Sequence, residues 1–258
     1  MSLKMPVVPA ATPAVSLAIF DLDHTLLAAD SSQSWAEEMQ RLGWIDDQQF
    51  WPQHQAMMRE YEQGDLDMLA YLRLNLSPLK GRSIDEVQHA ANHLVHQQLI
   101  QQIYPAAYAL LDWHRQQGHI LLLISASEDF LVQPLADHLG FDAVLAIQLL
   151  SEHQRYTGQV ALPLSYQQGK IERLQSWLAE QKLTVQRSWF YSDSHNDLPL
   201  LEWVDEPRPV NANPRLSQAA AARGWIVQTL APLHPSCPSH SPATHFNSAD
   251  RSPLARNC

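Results

Sequence analysis

Three short apolar runs punctuate the chain, and each stops abruptly at small polar or acidic residues. Ser16–Phe20 ends at Asp21-Leu22-Asp23-His24-Thr25, His119–Ile124 ends at Ser125-Ala126-Ser127, and Arg187–Tyr191 ends at Ser192-Asp193-Ser194. A continuous apolar run, rather than an alternating one, is the pattern of a strand buried on both faces in a parallel sheet. Segments with apolar residues at helical spacing accompany these runs. Ala106–Gln117 stops at Gly118, Phe130–Leu139 stops at Gly140, and Lys170–Glu180 carries Ile171, Leu174, Trp177 and Leu178. Glycine just past the last periodic residue is a helix stop signal. Strands alternating with helices predict an α/β fold with a doubly wound parallel sheet.

The text between the first and second runs differs. Residues 29–104 are rich in Gln, Glu, Met, Leu and Trp and poor in β-branched residues, and Ser34–Leu42, Gln48–Gln63, Leu66–Leu76 and Ile84–Gln101 all have helical patterns. Ser83 followed by Glu86 fits a capping box at the start of the last of these. An all-helical insertion just after the first strand predicts a small cap over the C-terminal edge of the sheet, where open α/β sheets bind ligands. The expected organisation is a flexible N-terminus over 1–14, an α/β core formed by 15–28 and 105–230, a helical cap over 29–104, and a disordered tail over 231–258 dominated by Pro, Ser, His and Asn. The tail's His234, Cys237, His240 and His245 lack the spacing of a metal site.

A hydrophobic fraction of 45% is enough for a sizeable core. The net charge of −10 argues against broad nucleic-acid binding, which needs a basic surface. It leaves room for a small phosphate ligand, because a few local donors and one cation outweigh the global field. The two cysteines, Cys237 and Cys258, form neither a disulfide framework nor a metal motif, which suits a reducing compartment. With no signal-peptide pattern and no apolar run of bilayer length, the expectation is a cytoplasmic protein with no membrane partner. The pattern specifies no oligomeric state.

The candidate chemistry lies at the strand ends. Asp21-Leu22-Asp23 places two carboxylates one residue apart, where one can attack and the other handle a proton. Taken alone, an Asp-x-Asp at a strand end equally suits a helix cap or a turn. Asp193 and Asp197 follow the third run with Asn196 between them, Lys170 opens a helix, and Ser125 ends the second run. In one parallel sheet these residues share an edge. Four carboxylates there need a divalent cation, and hard oxygen ligands in small number favour Mg2+, which takes phosphate oxygens as further ligands. A lysine and a hydroxyl beside them suit a phosphoryl group, so an acyl-phosphate mechanism is chemically complete.

Together, Asp21-Leu22-Asp23-His24-Thr25, Ser125, Lys170 and Ser192-Asp193-Ser194-His195-Asn196-Asp197 resemble the four motifs of the haloacid dehalogenase-type hydrolases, in the order of the phosphoserine-phosphatase-like branch. The resemblance extends from Ser16 to about Leu230. It implies a Rossmann-like core with an inserted helical cap, and a Mg2+-dependent phosphatase working through an aspartyl phosphate. In that scheme Asp21 is the nucleophile, and Asp23 protonates the leaving oxygen and then activates water. Ser125, Lys170 and the amides of Leu22, Asp23 and Ala126 hold the phosphoryl oxygens. Asp21, the Asp23 carbonyl and Asp193 bind Mg2+, Asp197 acts from behind them, and Asn196 supports the phosphate or its water. Ser192 stands where the family often has glycine, and His24 fills a variable slot.

A helical cap implies a small phosphorylated metabolite. The resemblance places Asp30 where it meets a substrate amine, or else it caps the following helix. It places Arg73 near a substrate carboxylate, or else Arg73 is a solvated helix residue. The cap text resembles a bacterial subgroup that includes histidinol-phosphate phosphatases, so histidinol phosphate and phosphoserine are both candidates. The alternatives are a phosphotransferase using the same aspartyl phosphate and a noncatalytic binding protein.

Overall fold

The computed structural model describes residues 13–231. The expectations for 1–12 and 232–258, including His234, Cys237, His240 and His245, lie outside the described residues. Five parallel strands form the central sheet: β1 (Ala14–Phe20), β2 (Ile120–Glu128), β3 (Ala143–Ile147), β6 (Thr184–Ser192) and β7 (Glu206–Pro209), in the order β3-β2-β1-β6-β7. A separate antiparallel hairpin joins β4 (Leu149–Glu152) to β5 (Arg155–Val160). β1 begins at Ala14, so the expected flexible stretch yields its last residue to the strand.

Alternate residues of β1 serve two cores. Leu17 and Ile19 pack with Ile171 and Leu174 of α7 (Gln168–Gln181), Leu200 and Leu201 of α8 (Leu198–Trp203) and Leu216 of α9 (Pro214–Arg223). Ala18 and Phe20 face Leu110 and Leu111 of α5 (Pro105–Gln116) and Leu131 and Leu135 of α6 (Asp129–Leu139). Burial on both faces accounts for the unbroken apolar runs. The second cluster continues through Trp35 and Met39 of α1 (Ser31–Arg41), Leu72 of α3 (Met68–Leu76), and Val87 and Ala91 of α4 (Ile84–Leu94).

α1, α2 (Asp47–Gln63), α3 and α4 make the inserted cap. Asp30 caps α1 by accepting the Gln33 amide at 2.8 Å, and Ser83 accepts the Glu86 amide at 3.2 Å, the interaction its spacing predicts. The long helix predicted over 84–101 instead breaks at Leu94 into a π-helical turn (Val95–Leu99) and a 3-10 turn (Ile100–Gln102). Neither proline nor glycine marks that change. There the chain returns to the core, and the two connectors join: Ala28 donates to the Gln102 carbonyl at 2.7 Å, Tyr104 donates to Leu26 at 2.9 Å, and Leu27 bridges to Ile103.

The unpredicted strands have physical explanations. β7 reads Glu-Pro-Arg-Pro, which only an edge strand tolerates. The β4–β5 turn uses His153 and Gln154, both at positive φ, where glycine or asparagine is the usual signal. No helix among the described residues is long and apolar enough to cross a membrane. The chain passes from β1 to β2 and β3 on one side, then crosses to β6 and β7 on the other. That reversal lies between β1 and β6, so the ligand crevice is expected where these two strands end.

Candidate active site

β1 and β6 pair with Phe20 opposite Tyr191, so their C-terminal loops start side by side. The Asp21 amide donates to the Tyr191 carbonyl at 2.9 Å, fixing the first residue of the loop. The chain then turns tightly, with the Leu22 carbonyl accepting the amides of Thr25, Leu26 and Leu27 at 3.2, 2.9 and 3.0 Å. His24, at φ 57°, is exposed at the turn. The turn brings the Thr25 hydroxyl between two carboxylates, 3.4 Å from Asp21 Oδ2 and 3.4 Å from Asp193 Oδ1, where it also accepts the Asp193 amide at 3.0 Å.

Lys170, in the first turn of α7, is buried. Its ammonium lies 2.9 Å from Asp21 Oδ1 and 2.8 Å from the Asp197 carboxylate. Ser192 donates to Asp197 at 2.7 Å and accepts the Ser194 amide at 3.1 Å, which glycine in its place could not do. The close approach that seats Lys170 depends on Gly169. A Cβ there would lie 2.1 Å from the Leu164 carbonyl oxygen. Gly169→Ala is expected to cost about 1–3 kcal/mol by overpacking, because the added Cβ must displace the Leu164 carbonyl; thermal unfolding of the variant beside the wild type checks it.

Asp23 is held by two structural layers. From the cap, the Ser31 amide donates to Oδ1 at 2.9 Å and the Ser31 hydroxyl to Oδ2 at 3.0 Å; from β2, the Ser127 hydroxyl donates to Oδ2 at 2.6 Å. Both lone-pair directions of Oδ2 are thereby filled. Oδ1 keeps one open, which makes it the oxygen able to carry a transferable proton. Ser125 accepts the Ser127 amide at 3.0 Å, so its own hydroxyl hydrogen remains to be donated.

These groups line a cavity of about 250 Å³. The core contributes Asp21, Asp23, Ser125, Ala126, Lys170, Asp193, Asn196 and Asp197, and the cap contributes Met58, Tyr61, Glu62, Leu66, Met68 and Tyr71. Asp30 lines it too, while its carboxylate also caps α1. Leu22 is fully buried beneath the loop. Asn196 is itself held, accepting Tyr166 and Gln167 at 3.2 Å each and donating to the Tyr61 carbonyl at 3.4 Å. Arg73 is not part of the site. It is exposed and lines a separate groove with Leu69, Leu76 and Leu162, because the buried face of α3 is carried by Tyr71, Leu72 and Leu76. Thr25, Ser31, Ser127, Tyr61 and Tyr71 join the site without having been assigned roles from sequence. Thr25, Ser31 and Ser127 lie in or beside the motifs, whereas Tyr61 and Tyr71 in the cap carried no such signal.

The electrostatics are those of crowded, buried acids. Burial raises Asp21 to about 6, with Lys170 opposing and Asp197 adding to the rise. Burial also raises Asp23 to about 8, with Asp30 adding and the Ser127 hydrogen bond opposing. Asp193 is pushed up by burial and by the charges of Asp21 and Asp197. Burial works against the Lys170 charge, but Asp197 and Asp21 outweigh it and hold the ammonium protonated. Asp21, Asp193 and Asp197 thus face one ammonium, and their uncompensated charge matches a divalent cation. Among the described residues no three His, Cys or acidic side chains form a complete metal cage. The carboxylates of Asp21 and Asp193, which meet at the Thr25 hydroxyl, offer few and hard oxygens, a donor set that fits Mg2+, which retains water and seeks phosphate oxygens.

Residues 18–202 match the family model of the haloacid dehalogenase-like hydrolases. The chain belongs to that family. This haloacid dehalogenase-like hydrolase is 36% identical over 216 residues to a histidinol-phosphatase of Neisseria meningitidis serogroup C (strain 8013), covering 82% of this chain and 97% of that one. A protein of unknown function from Bordetella pertussis Tohama I has the same fold with a TM-score of 0.77 and 32% identity, covering 83% of this chain and 98% of that one. A phospho-aspartyl intermediate analogue of phosphoserine phosphatase superposes with a TM-score of 0.62 at 19% identity, over 84% and 93% of the two chains, a likeness of fold. The hydrolase is a phosphatase of the phosphoric monoester class.

Proposed function

We propose that this hydrolase cleaves a small amine-bearing phosphomonoester without a carboxylate, with histidinol phosphate the leading candidate, using Mg2+ and a phosphorylated Asp21. Asp21 attacks phosphorus while Asp23 gives a proton from Oδ1 to the departing alkoxide. Asp23 Oδ1 then takes a proton from water as that water attacks the phosphoaspartate, which regenerates Asp21 and releases phosphate. Ser125, the Leu22 and Ala126 amides and Lys170 would hold the phosphoryl oxygens, with Asn196 supporting them and Asp197 keeping Lys170 in place. Bound by Asp21, Asp193 and the Asp23 carbonyl, Mg2+ would neutralise charge on the transferring group.

The observation that carries the substrate class is the charge of the lining. Lys170 is the one lysine or arginine among the described residues lining the cavity, and it is committed to Asp21 and Asp197. A substrate carboxylate finds no uncommitted lysine or arginine among those residues. A substrate ammonium finds Asp30 and Glu62, with Tyr61 and Tyr71 offering aromatic faces to a cation or an imidazole. The relative in Neisseria meningitidis bears a name that agrees.

Phosphate release from histidinol phosphate, phosphoserine and 4-nitrophenyl phosphate in Mg2+ tests this reading. Histidinol phosphate is expected to be preferred. Asp30→Asn, which retains an N-cap, is expected to raise its KM about tenfold or more. Arg73→Ala is expected to change neither kcat nor KM beyond about twofold, as for a surface site away from the chemistry. A preference for phosphoserine that Arg73→Ala abolishes would overturn the reading.

A further inference from the structure

Glu128 is a carboxylic acid that the mechanism above leaves unused. It follows Ser127 at the end of β2, is 1% exposed, and carries no ion pair among the described residues, whose other acids are mostly at the surface. Its partner is the Ser32 hydroxyl, 2.9 Å from Oε2. Ser32 lies 3.1 Å from the Ser127 hydroxyl, and Ser127 lies 2.6 Å from Asp23 Oδ2. The result is a chain of three links: Glu128, Ser32, Ser127, Asp23.

Counting hydrogens, together with proton donation from Asp23 Oδ1, decides its state. Each serine hydroxyl donates once. If Glu128 is ionised, Ser32 donates to Glu128 and Ser127 donates to Asp23. The link between the two serines then has no hydrogen, and two oxygens face each other at 3.1 Å. If Glu128 is protonated, it donates to Ser32, Ser32 to Ser127, and Ser127 to Asp23. Every link is then filled and all three point toward Asp23. The opposite polarity, from a proton on Asp23 Oδ2 to an ionised Glu128, also fills every link, but it turns the Asp23 proton toward Ser127, whereas the mechanism above requires it on Oδ1. A buried, fully satisfied chain is the stable arrangement, because an unmade link in a low-dielectric interior is costly.

We propose that Glu128, as a neutral carboxylic acid, is a positioning residue that aligns the Ser32–Ser127 hydroxyl chain onto Oδ2 of Asp23 and so reserves Oδ1 for proton transfer. The proposal rests on the phosphatase reading above. The titratable groups around Glu128 agree with a neutral form: Asp30 from the start of the cap and Asp129 from α6 both raise it, and Tyr71 of α3, held neutral by burial, brings no charge to offset them. Burial, chiefly, raises Glu128 to about 7, with its own amide and Ser32 opposing. The chain also crosses between layers, since Ser31 and Ser32 belong to the first turn of the cap and Ser127 and Glu128 to the sheet. Asp23 is therefore aligned only when that turn of the cap is seated on the strand end.

The test separates proton donation from everything else by the leaving group. An alkyl phosphate needs a proton on its departing oxygen, whereas 4-nitrophenolate departs without one. The substrates are 4-nitrophenyl phosphate and the faster of histidinol phosphate and phosphoserine, with wild type, Ser32→Ala, Glu128→Ala and Glu128→Gln, all in Mg2+. For Ser32→Ala and Glu128→Ala, kcat/KM for the alkyl ester is expected to fall about tenfold, while that for the aryl ester stays within about twofold. Glu128→Gln is expected to restore most of the loss, because its amide N–H donates to Ser32 as the acid O–H does. Equal losses on both esters, no loss on either, or a Gln variant no better than Ala would each overturn the proposal while leaving the phosphatase reading intact. A wild type that hydrolyses no alkyl ester would overturn both. If Glu128→Ala does not fold, Ser32→Ala carries the test, since it removes one oxygen from a half-buried helix terminus.

Discussion

Asp21→Asn is expected to lower kcat by at least ~10⁴-fold for every substrate, with no loss of thermal stability in the absence of Mg2+. The amide keeps an oxygen to accept Lys170 and differs from the carboxylate by little in shape. It has no nucleophilic oxygen, so the covalent route closes. Stability should hold or rise because burial already disfavours the Asp21 charge, and Asp193 and Asp197 repel it. For the same reason Mg2+ should stabilise the variant less than the wild type. Phosphate release together with thermal midpoints, with and without Mg2+, checks the prediction. Residual turnover within about a hundredfold of wild type would exclude Asp21 as the attacking group.

Lys170→Met is expected to damage both function and fold. The variant leaves Asp21, Asp193 and Asp197 without their one ammonium, and removing one partner of a buried ion pair typically costs about 3–5 kcal/mol. Turnover should drop by about 10²–10³-fold as a charge-stabilising donor is lost. The pH dependence has a definite sign. Lys170 is held above its ordinary value of 10.5, so its own contribution is fully present below that pH and is lost only in strong alkali. The carboxylates behave oppositely. Asp21 already stands at about 6, above the ordinary 3.8, and loss of Lys170 lifts it further. A group raised in this way stabilises the fold when protonated and loses that effect as pH rises through its folded value. The stability gap between wild type and Lys170→Met should therefore be small in mild acid and widen toward neutral pH. Denaturant unfolding at several pH values measures it, and a gap independent of pH would contradict the assigned cluster.

Much of the fold follows from patterns readable one segment at a time. The three buried parallel strands announce themselves as apolar runs, and most helices stop within a residue or two of their glycine or polar signals. What escaped had no local signal. β7 is held in the sheet by its neighbour β6 despite two prolines, and the turn at His153 and Gln154 is held by the hairpin around it. At the site, the strand-end residues Asp21, Asp23, Ser125 and Asp193 were legible because a parallel sheet brings strand ends to one edge, and Lys170 because it opens a helix packed on that sheet. Arg73 was not, because a helical position says nothing about which face meets the cavity until the packing of Tyr71 and Leu72 is known. Ser31, Ser32, Ser127 and Glu128 were equally hidden. Isolated serines and a glutamate carry no pattern, and their meaning comes from meeting across a gap of about a hundred residues of chain.

The joined connectors at Leu26–Ala28 and Gln102–Tyr104 also bear on how such a protein can change over time. Entry and exit of the insertion lie side by side, so the backbone of the sheet would close over a much shorter or longer insert at little entropic cost. The side chains impose the opposite constraint. Phe20, Leu131 and Leu135 of the α/β layers share one apolar cluster with Trp35, Met39 and Val87 of the insert, so exchanging the insert wholesale would strip the sheet of part of its own interior. On the proposed reading of the cavity, substrate range is thus freer to drift by single replacements at Asp30, Tyr61, Glu62 or Tyr71 than by exchange of the helical layer that carries them.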